Sequence, residues 1–312
     1  MTVRVALDLL GGDAAPDAVI DGALLAADEC PDVSVVLVGP EEVAAAKLSE
    51  RGVVPGTFEV VNATQCVGMD EDPARAVRAK RDATVRVAAK LVRDGRADAT
   101  VSAGNSGAAL AAALFTLGRL PGVTRPAVAV VVPTPNGPVL LLDAGANPDA
   151  GPDLLAQFAL AGAAYARSRG IHAPRVGLLN IGAEPGKGDD LRRTAFDLLK
   201  ELPIDFAGNV EGHDVVLGGR ADVVVTDGFT GNVLLKGIEA ALTSALDPDE
   251  HSGALLLGVN GVAVLGHGGS SPRAVASCLR LAADAVRTGL LPRLTETLHD
   301  LVQRRRAAAG LA

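Results

Sequence analysis

The chain has 312 residues, 48% of them hydrophobic and 21% charged, enough apolar side chain for a large α/β core and too much for a disordered chain. Aromatics make up 2%, Trp is absent and the net charge is −8 with a pI near 5.2, which argues against a base-stacking platform or a polybasic nucleic-acid face. The three cysteines, Cys30, Cys66 and Cys278, are far apart and form no CxxC pair, so neither a disulfide framework nor a cysteine zinc site is expected.

The opening stretch MTVRVALDLLGGD has no signal-peptide core, and no apolar run reaches the roughly 18 residues of a membrane span. A soluble, cytoplasmic protein is expected. Apolar runs then recur as predicted strands: VRVALDL (3–9), VSVVLVG (33–39), FEVV (58–61), ATVSA (99–103), AVAVVVP (127–133), PVLLLDA (138–144), RVGLLNIG (175–182), DVVVTD (222–227) and GVAVLG (261–266). Helix-sized stretches lie between most of them, among them 83–95, 106–118, 152–169, 189–201 and 272–288. The alternation predicts a largely parallel sheet covered by helices on both faces. TPNG between 127–133 and 138–144 is a hairpin signal, which makes the sheet mixed. With no linker and no internal repeat, one domain over 1–312 is expected. The last helix ends in LVQRRRAAAGLA, whose Arg cluster suits a helix C-terminus and whose tail is expected to fray.

The strand ends share a vocabulary: GGDAAPD (11–17), SAGNSGA (102–108), DAGANPD (143–149), NIGAEPGKG (180–188), TDGFTGN (226–232) and GHGGSS (266–271). One such loop is ordinary turn chemistry; six at the carboxyl edge of a parallel sheet point to a phosphate or oxyanion cleft. The first loop is not GxGxxG, the second strand has no terminal acid for a ribose, and Asp189 follows GKG where a P-loop needs Ser or Thr. Lys187 is the one lysine of the six loops and a fair phosphate ligand. Glu184 either orients it or faces water, and His267 is either an acid–base group or a buried structural histidine. Asp8, Asp13, Asp143 and Asp227 lack the spacing of a calcium loop, and no metal is expected. The TDGFTGN tip holds no Cys, His or Ser, so its chemistry needs a nucleophile from elsewhere.

On a helical wheel Arg75, Arg78, Arg86, Lys90 and Arg93 share one face, opposite Val77, Val87, Leu91 and Val92. Such a face is either solvated or docks an acidic partner. Lys80 and Arg81 fall among the apolar residues, so a break is expected near Asp82, with Asp82 as N-cap and Lys80 and Arg81 turned toward the cleft.

The stretches ALDLLGGDAAP, VGMDEDPARAVRAKRDAT, VSAGNSGAAL, LDAGAN, LLNIGAEPGKG, TDGFTGNVLLK and GVNGVAVLGHGGS together resemble the bacterial phosphate acyltransferase (PlsX) family, in that family's order and over nearly the whole chain. The resemblance implies a Rossmann-like α/β/α homodimer that needs no metal or cofactor. It also implies acyl transfer from acyl carrier protein (acyl-ACP) to inorganic phosphate, feeding a membrane glycerol-3-phosphate acyltransferase at the start of phospholipid synthesis. Phosphate is then the missing nucleophile. By the same resemblance Lys187 and Asn232 are catalytic, on phosphate charge and oxyanion respectively. Substrate or phosphate binding falls to Gly11, Gly12, Asp13, Gly104, Asn105, Ser106, Gly107, Asp143, Asn147, Glu184, Asp227, Gly228, Thr230, Gly231 and His267. Carrier docking is assigned to Arg75, Arg78, Arg86 and Lys90. Ser106 stands where many members carry Thr.

One departure is sizeable. Members carry a longer apolar and basic helical insert where this chain passes almost directly across, near 241–253, and weakened direct membrane contact is expected. The alternatives are a phosphotransacetylase-like enzyme acting on acyl-CoA, a silent acyl- or nucleotide-binding regulator, and, least favoured, a dehydrogenase.

Overall fold

The computed structural model describes residues 2–242 and 252–308, with side chains over 2–241 and 252–299. The stretch read as a shortened insert falls largely outside them, as does the tail 309–312. In chain order the elements are β1 (Val3–Asp8), α1 (Asp17–Glu29), β2 (Val33–Gly39), α2 (Glu41–Glu50), β3 (Glu59–Asn62), α3 (Pro73–Ala79), α4 (Thr84–Arg93), β4 (Ala99–Ser102) and α5 (Ser106–Thr116). Then follow β5 (Ala127–Val132), β6 (Val139–Leu142), α6 (Pro152–Ser168), β7 (Arg175–Leu179), α7 (Asp190–Lys200), β8 (Asp205–Val210), α8 (Gly212–Leu217), β9 (Val223–Val225) and α9 (Gly228–Leu242). The last are β10 (Ala254–Leu257), β11 (Val262–Leu265), α10 (Pro272–Arg287) and α11 (Leu290–Ala308). All nine predicted strands form, and β8 and β10 are additional. The α/β class and the mixed, mostly parallel pairing are as expected.

Two compact units make up the chain, Met1–Gly118 with Asp247–Arg287 and Arg119–Leu246 with Thr288–Ala312. In the first, the strands run β3-β2-β1-β4-β11-β10, parallel except for the β10–β11 pair. Val5 pairs with Val35 on one side and Ala99 on the other. β1 and β2 are nearly all apolar because covered parallel strands have no wet face. Ala88 and Leu91 of α4 pack on Ala6, Val36 and Val38, while α10 packs on α1 and on β1, β4 and β11.

The second unit orders its strands β5-β6-β9-β7-β8, with β5–β6 the antiparallel hairpin that TPNG predicted, Val132 opposite Val139. Helix α6 is buried from Leu155 through Ala166, against β6 and β9 on one side and α7 and α11 on others. That enclosure explains a helix written in Ala, Leu and Phe with little polar face. Leu290, Leu294 and Leu298, four apart, form the buried stripe of α11. A second apolar cluster joins Leu141, Val210 and Val224 to Val215 of α8 and Ile238 of α9. Among the described residues no helix is long and apolar enough to cross a membrane.

The break between α3 and α4 is present, but Ala83 and not Asp82 occupies the N-cap of α4. The Asp82 carboxylate instead accepts from the N–H and hydroxyl of Thr64, both at 2.7 Å. The Lys80 ammonium donates to the carbonyl of Cys66 and to the Glu71 carboxylate, pinning the 66–71 loop.

Candidate active site

The six strand-end loops sort into two clusters, three in each unit. In the first unit the loops after β1, β4 and β11 close backbone on backbone. The Asp13 N–H donates to the Gly268 carbonyl at 2.7 Å. Gly11 lies so close to its neighbours that a Cβ there would stand 2.8 Å from Asp8 Oδ2 and 2.9 Å from the Gly104 nitrogen; only glycine fits. Beneath them Asp8 is buried at the end of β1, accepting from Ser102 Oγ at 2.7 Å and the Leu10 N–H at 3.3 Å. Burial pushes its carboxyl above the ordinary aspartate range, against the hydrogen bonds of Thr84, Ser102 and Leu10.

Asn105 serves as the N-cap of α5, its Oδ1 taking the Ala108 N–H at 3.0 Å, while its Nδ2 donates to the Gly68 carbonyl at 3.1 Å. Ser106 and Asp13 are exposed, and Gly12 and Gly107 complete the loops on either side. His267 is exposed as well, its Nδ1 accepting the Gly269 N–H at 3.2 Å, so the buried structural histidine is not what forms.

In the second unit the loops after β6, β7 and β9 are fastened by side chains. Asp143, fully buried, takes the N–H groups of Val128, Gly145, Ala146 and Asn147 and the Asn147 side-chain amide, at 2.6–3.1 Å. Asn147 spends its amide on that carboxylate and on the Pro126 carbonyl at 2.7 Å. These two residues therefore build the 143–149 loop. The start of α9 lies directly on it. A Cβ on Gly231 would stand 2.0 Å from the Asp143 carbonyl oxygen, and the Gly228 N–H donates to the Asn147 carbonyl at 2.8 Å. Asn232, half-buried, gives one amide proton to the Ala144 carbonyl at 3.1 Å, and its second has no acceptor among the described residues.

The 180–188 loop is held from below. Asn180 Nδ2 donates to the Lys187 carbonyl at 3.0 Å and Asn209 Nδ2 to the Glu184 carbonyl at 2.9 Å. Above those anchors the Lys187 and Glu184 side chains are exposed, and among the described residues the Lys187 ammonium has no ion-pair partner. Asp227 is buried beside Thr230, accepting its N–H at 2.9 Å and hydroxyl at 2.8 Å, and it pairs with the Arg192 guanidinium. Burial works to raise its carboxyl, but Thr230 and Arg192 together hold it below the ordinary range.

The basic face divides. Arg75 and Arg78 are exposed, with the Arg78 guanidinium 4.4 Å from the centre of the Phe115 ring. Arg86 donates to the Val77 carbonyl at 2.9 Å and Lys90 to the Arg81 carbonyl at 3.3 Å, so these two close the end of α3 and the turn after it. Sequence reasoning passed over Arg192, Asn180 and Asn209. The available signal was the polar run in DDLRRT and the asparagines closing β7 and β8.

What this second cluster offers is one uncovered cation, an amide proton of Asn232 and the N-terminal turn of α9, and its three loops hold no Cys, His or Ser: a binding place for an anion and for charge developing on a carbonyl oxygen. Residues 3–246 match a family model described as "Fatty acid synthesis protein". Two curated relatives, both named "Phosphate acyltransferase", come from Desulfitobacterium hafniense and Desulforamulus reducens. They are 42% and 44% identical, over 95% and 96% of this chain and 98% of each relative. The aligned stretch of 329 residues in the first exceeds the 312 of this chain, so that relative carries residues this chain lacks. Among solved structures, the EutD phosphotransacetylase from Staphylococcus aureus superposes with a TM-score of 0.67 at 18% identity, covering 91% of this chain and 94% of its own, a likeness of fold.

Proposed function

This chain belongs to the fatty acid synthesis protein family that includes the phosphate acyltransferases, and on that premise we propose that it moves a fatty acyl group from a thioester to inorganic phosphate. A phosphate oxygen attacks the thioester carbonyl carbon, a tetrahedral oxyanion forms, and the C–S bond breaks to give acyl phosphate and a thiolate. Phosphate is already an anion at neutral pH, and a thiol of pKa about 8.5 leaves with little acid assistance. What remains for the protein is placement and charge. The observation that carries the reading is the uncovered Lys187 beside a loop cluster with no Cys, His or Ser. Lys187 holds phosphate, and Asn232 directs its second amide proton at the oxyanion. Ile181 in the lysine loop and Phe229 and Val233 in the first turns of α9, all exposed, supply apolar surface for the acyl chain.

The donor is acyl-ACP, docking on Arg75 and Arg78, and the product feeds phospholipid synthesis through a membrane glycerol-3-phosphate acyltransferase. The enzyme works as a homodimer without a cofactor and with weakened membrane contact of its own. The test is incubation with palmitoyl-ACP, with and without phosphate, following carrier thiol and trapping product with hydroxylamine. Phosphate-dependent thiol release with a trapped hydroxamate is expected. Release from palmitoyl-CoA but not palmitoyl-ACP transfers the reading to a phosphotransacetylase-like enzyme, and release from neither removes it.

A further inference from the structure

The lysine loop and the asparagine turn sit at the ends of different strands, β7 and β9, and something must fix one against the other for both to act on a single tetrahedral centre. Asn180 and Asn209 fasten the lysine loop downward, to β7 and β8. The turn is fastened to the 143–149 loop by Gly228 and Asn232. Neither set joins the two.

Arg192 does. It stands in the first turn of α7, five residues after Lys187, where the Asp189 carboxylate caps its N–H at 2.9 Å and takes Nη1 at 2.8 Å. Its other arm crosses to the turn, where Nη2 donates to Thr230 Oγ1 at 3.0 Å and meets the Asp227 carboxylate. Thr226 Oγ1 stands at the edge of that contact, 3.5 Å away. Among the described residues no other side chain bridges these two stretches by hydrogen bonds. The pair is withdrawn from water, with Arg192 13% and Asp227 7% exposed along their side chains, and a forked guanidinium holding partners on both sides fixes angle as well as distance.

We propose that Arg192 is a positioning residue for the transfer reaction: it sets the Lys187 loop against the Asn232 turn without touching substrate. The proposal rests on the acyl-transfer reading above. Phosphate-dependent thiol release is measured for the parent, Arg192→Ala and Arg192→Lys, with kcat and the KM for acyl thioester separated and melting followed in parallel. In Arg192→Ala, kcat falls on the order of 100-fold, the scale of a small misplacement of reacting groups, while the KM stays put. Millimolar guanidinium restores part of the loss in that variant and none in Lys187→Ala. Arg192→Lys keeps the charge but not the fork and falls between. A kcat at the parent level in Arg192→Ala, a loss expressed only as a raised KM, or a loss that guanidinium leaves untouched overturns the proposal.

Should Arg192→Ala not fold, Arg192→Lys decides alone: lowered kcat with melting retained supports the role, and unchanged kcat overturns it. If the parent itself shows no turnover, the acyl-transfer reading fails, and the bridge is read separately by hydrogen exchange. Faster exchange of the amides in 182–188 and 228–232 together, in whichever variant folds, supports the positioning role. Unchanged exchange in either stretch overturns it.

Discussion

Around Asp8 the loops of the first unit close on one another through their backbones, Gly11 against Gly104 and Asp13 against Gly268, over a carboxyl that burial keeps above its ordinary range. Around Asp227 the loops of the second unit are tied by side chains, Asp143 to four backbone amides and Arg192 to Thr230. They leave Lys187 uncovered, and the Asp227 carboxyl among them is held below its ordinary range. Both clusters are written in Gly, Asn, Asp and Ser or Thr. Glycine permits close approach in both, but what braces the loops differs: in the first unit backbone meets backbone beneath exposed Asp13, Ser106 and His267, and in the second the side chains of Asp143 and Arg192 hold the loops beneath exposed Lys187.

The sharpest way to break this contrast is at the open tip. Lys187→Ala is expected to lower kcat on the order of 1000-fold, about 4 kcal/mol. Melting should stay unchanged, because the ammonium has no ion-pair partner among the described residues. Parent-level turnover would put the chemistry elsewhere. Next comes the braced floor. Gly231→Ala forces a methyl into the Asp143 carbonyl and should cost about 3 kcal/mol of stability. Gly237→Ala, later in the same helix with open space around it, should gain about 1 kcal/mol; equal denaturation midpoints would mean the tight contact relaxes freely.

The first cluster is probed by pH. Because Asp8 keeps its proton better in the folded than in the unfolded state, its contribution is complete below pH about 4, the ordinary Asp value. It is lost as pH rises through the higher folded value. Asp8→Asn stays neutral, so its melting temperature should gain on the parent as pH rises from 4 to neutrality, a window set by that raised carboxyl; a constant offset would show that Asp8 does not titrate in it. The smallest effect is expected at the surface. Arg78→Glu should raise the KM for acyl-ACP about threefold and leave that for acyl-CoA alone, as a rim charge does. An equal change for both donors would take carrier docking off α3.

Periodicity made the layered α/β architecture and the β5–β6 hairpin legible in the sequence, because strands buried on both faces announce themselves as runs of Val and Leu. β8 stayed hidden because DFAGNV is half-exposed and broken by Gly208 in a left-handed conformation. β10 stays hidden because ALLL is only four residues long and runs directly into the GVNG turn before the next strand. At the candidate site, motif matching found the loops but not the division of labour within them. Asp143 looks like a ligand in the sequence; folded, its two oxygens are taken by its own loop. The Arg192–Asp227 pair spans 35 positions, beyond the reach of any local pattern. Side chains that touch across a fold leave no periodic trace.

The order of strands along the chain bears on how the protein is made. The first unit takes β10, β11 and α10 from beyond residue 252, and the second takes α11, whose Leu290, Leu294 and Leu298 are buried in the finished fold. A chain growing from the ribosome has therefore displayed β1 to β9 before either unit can be completed. From residue 168 to residue 290 the apolar face of α6, and from residue 102 to residue 262 the open edge of β4, await partners not yet translated, a window in which chaperones have something to hold.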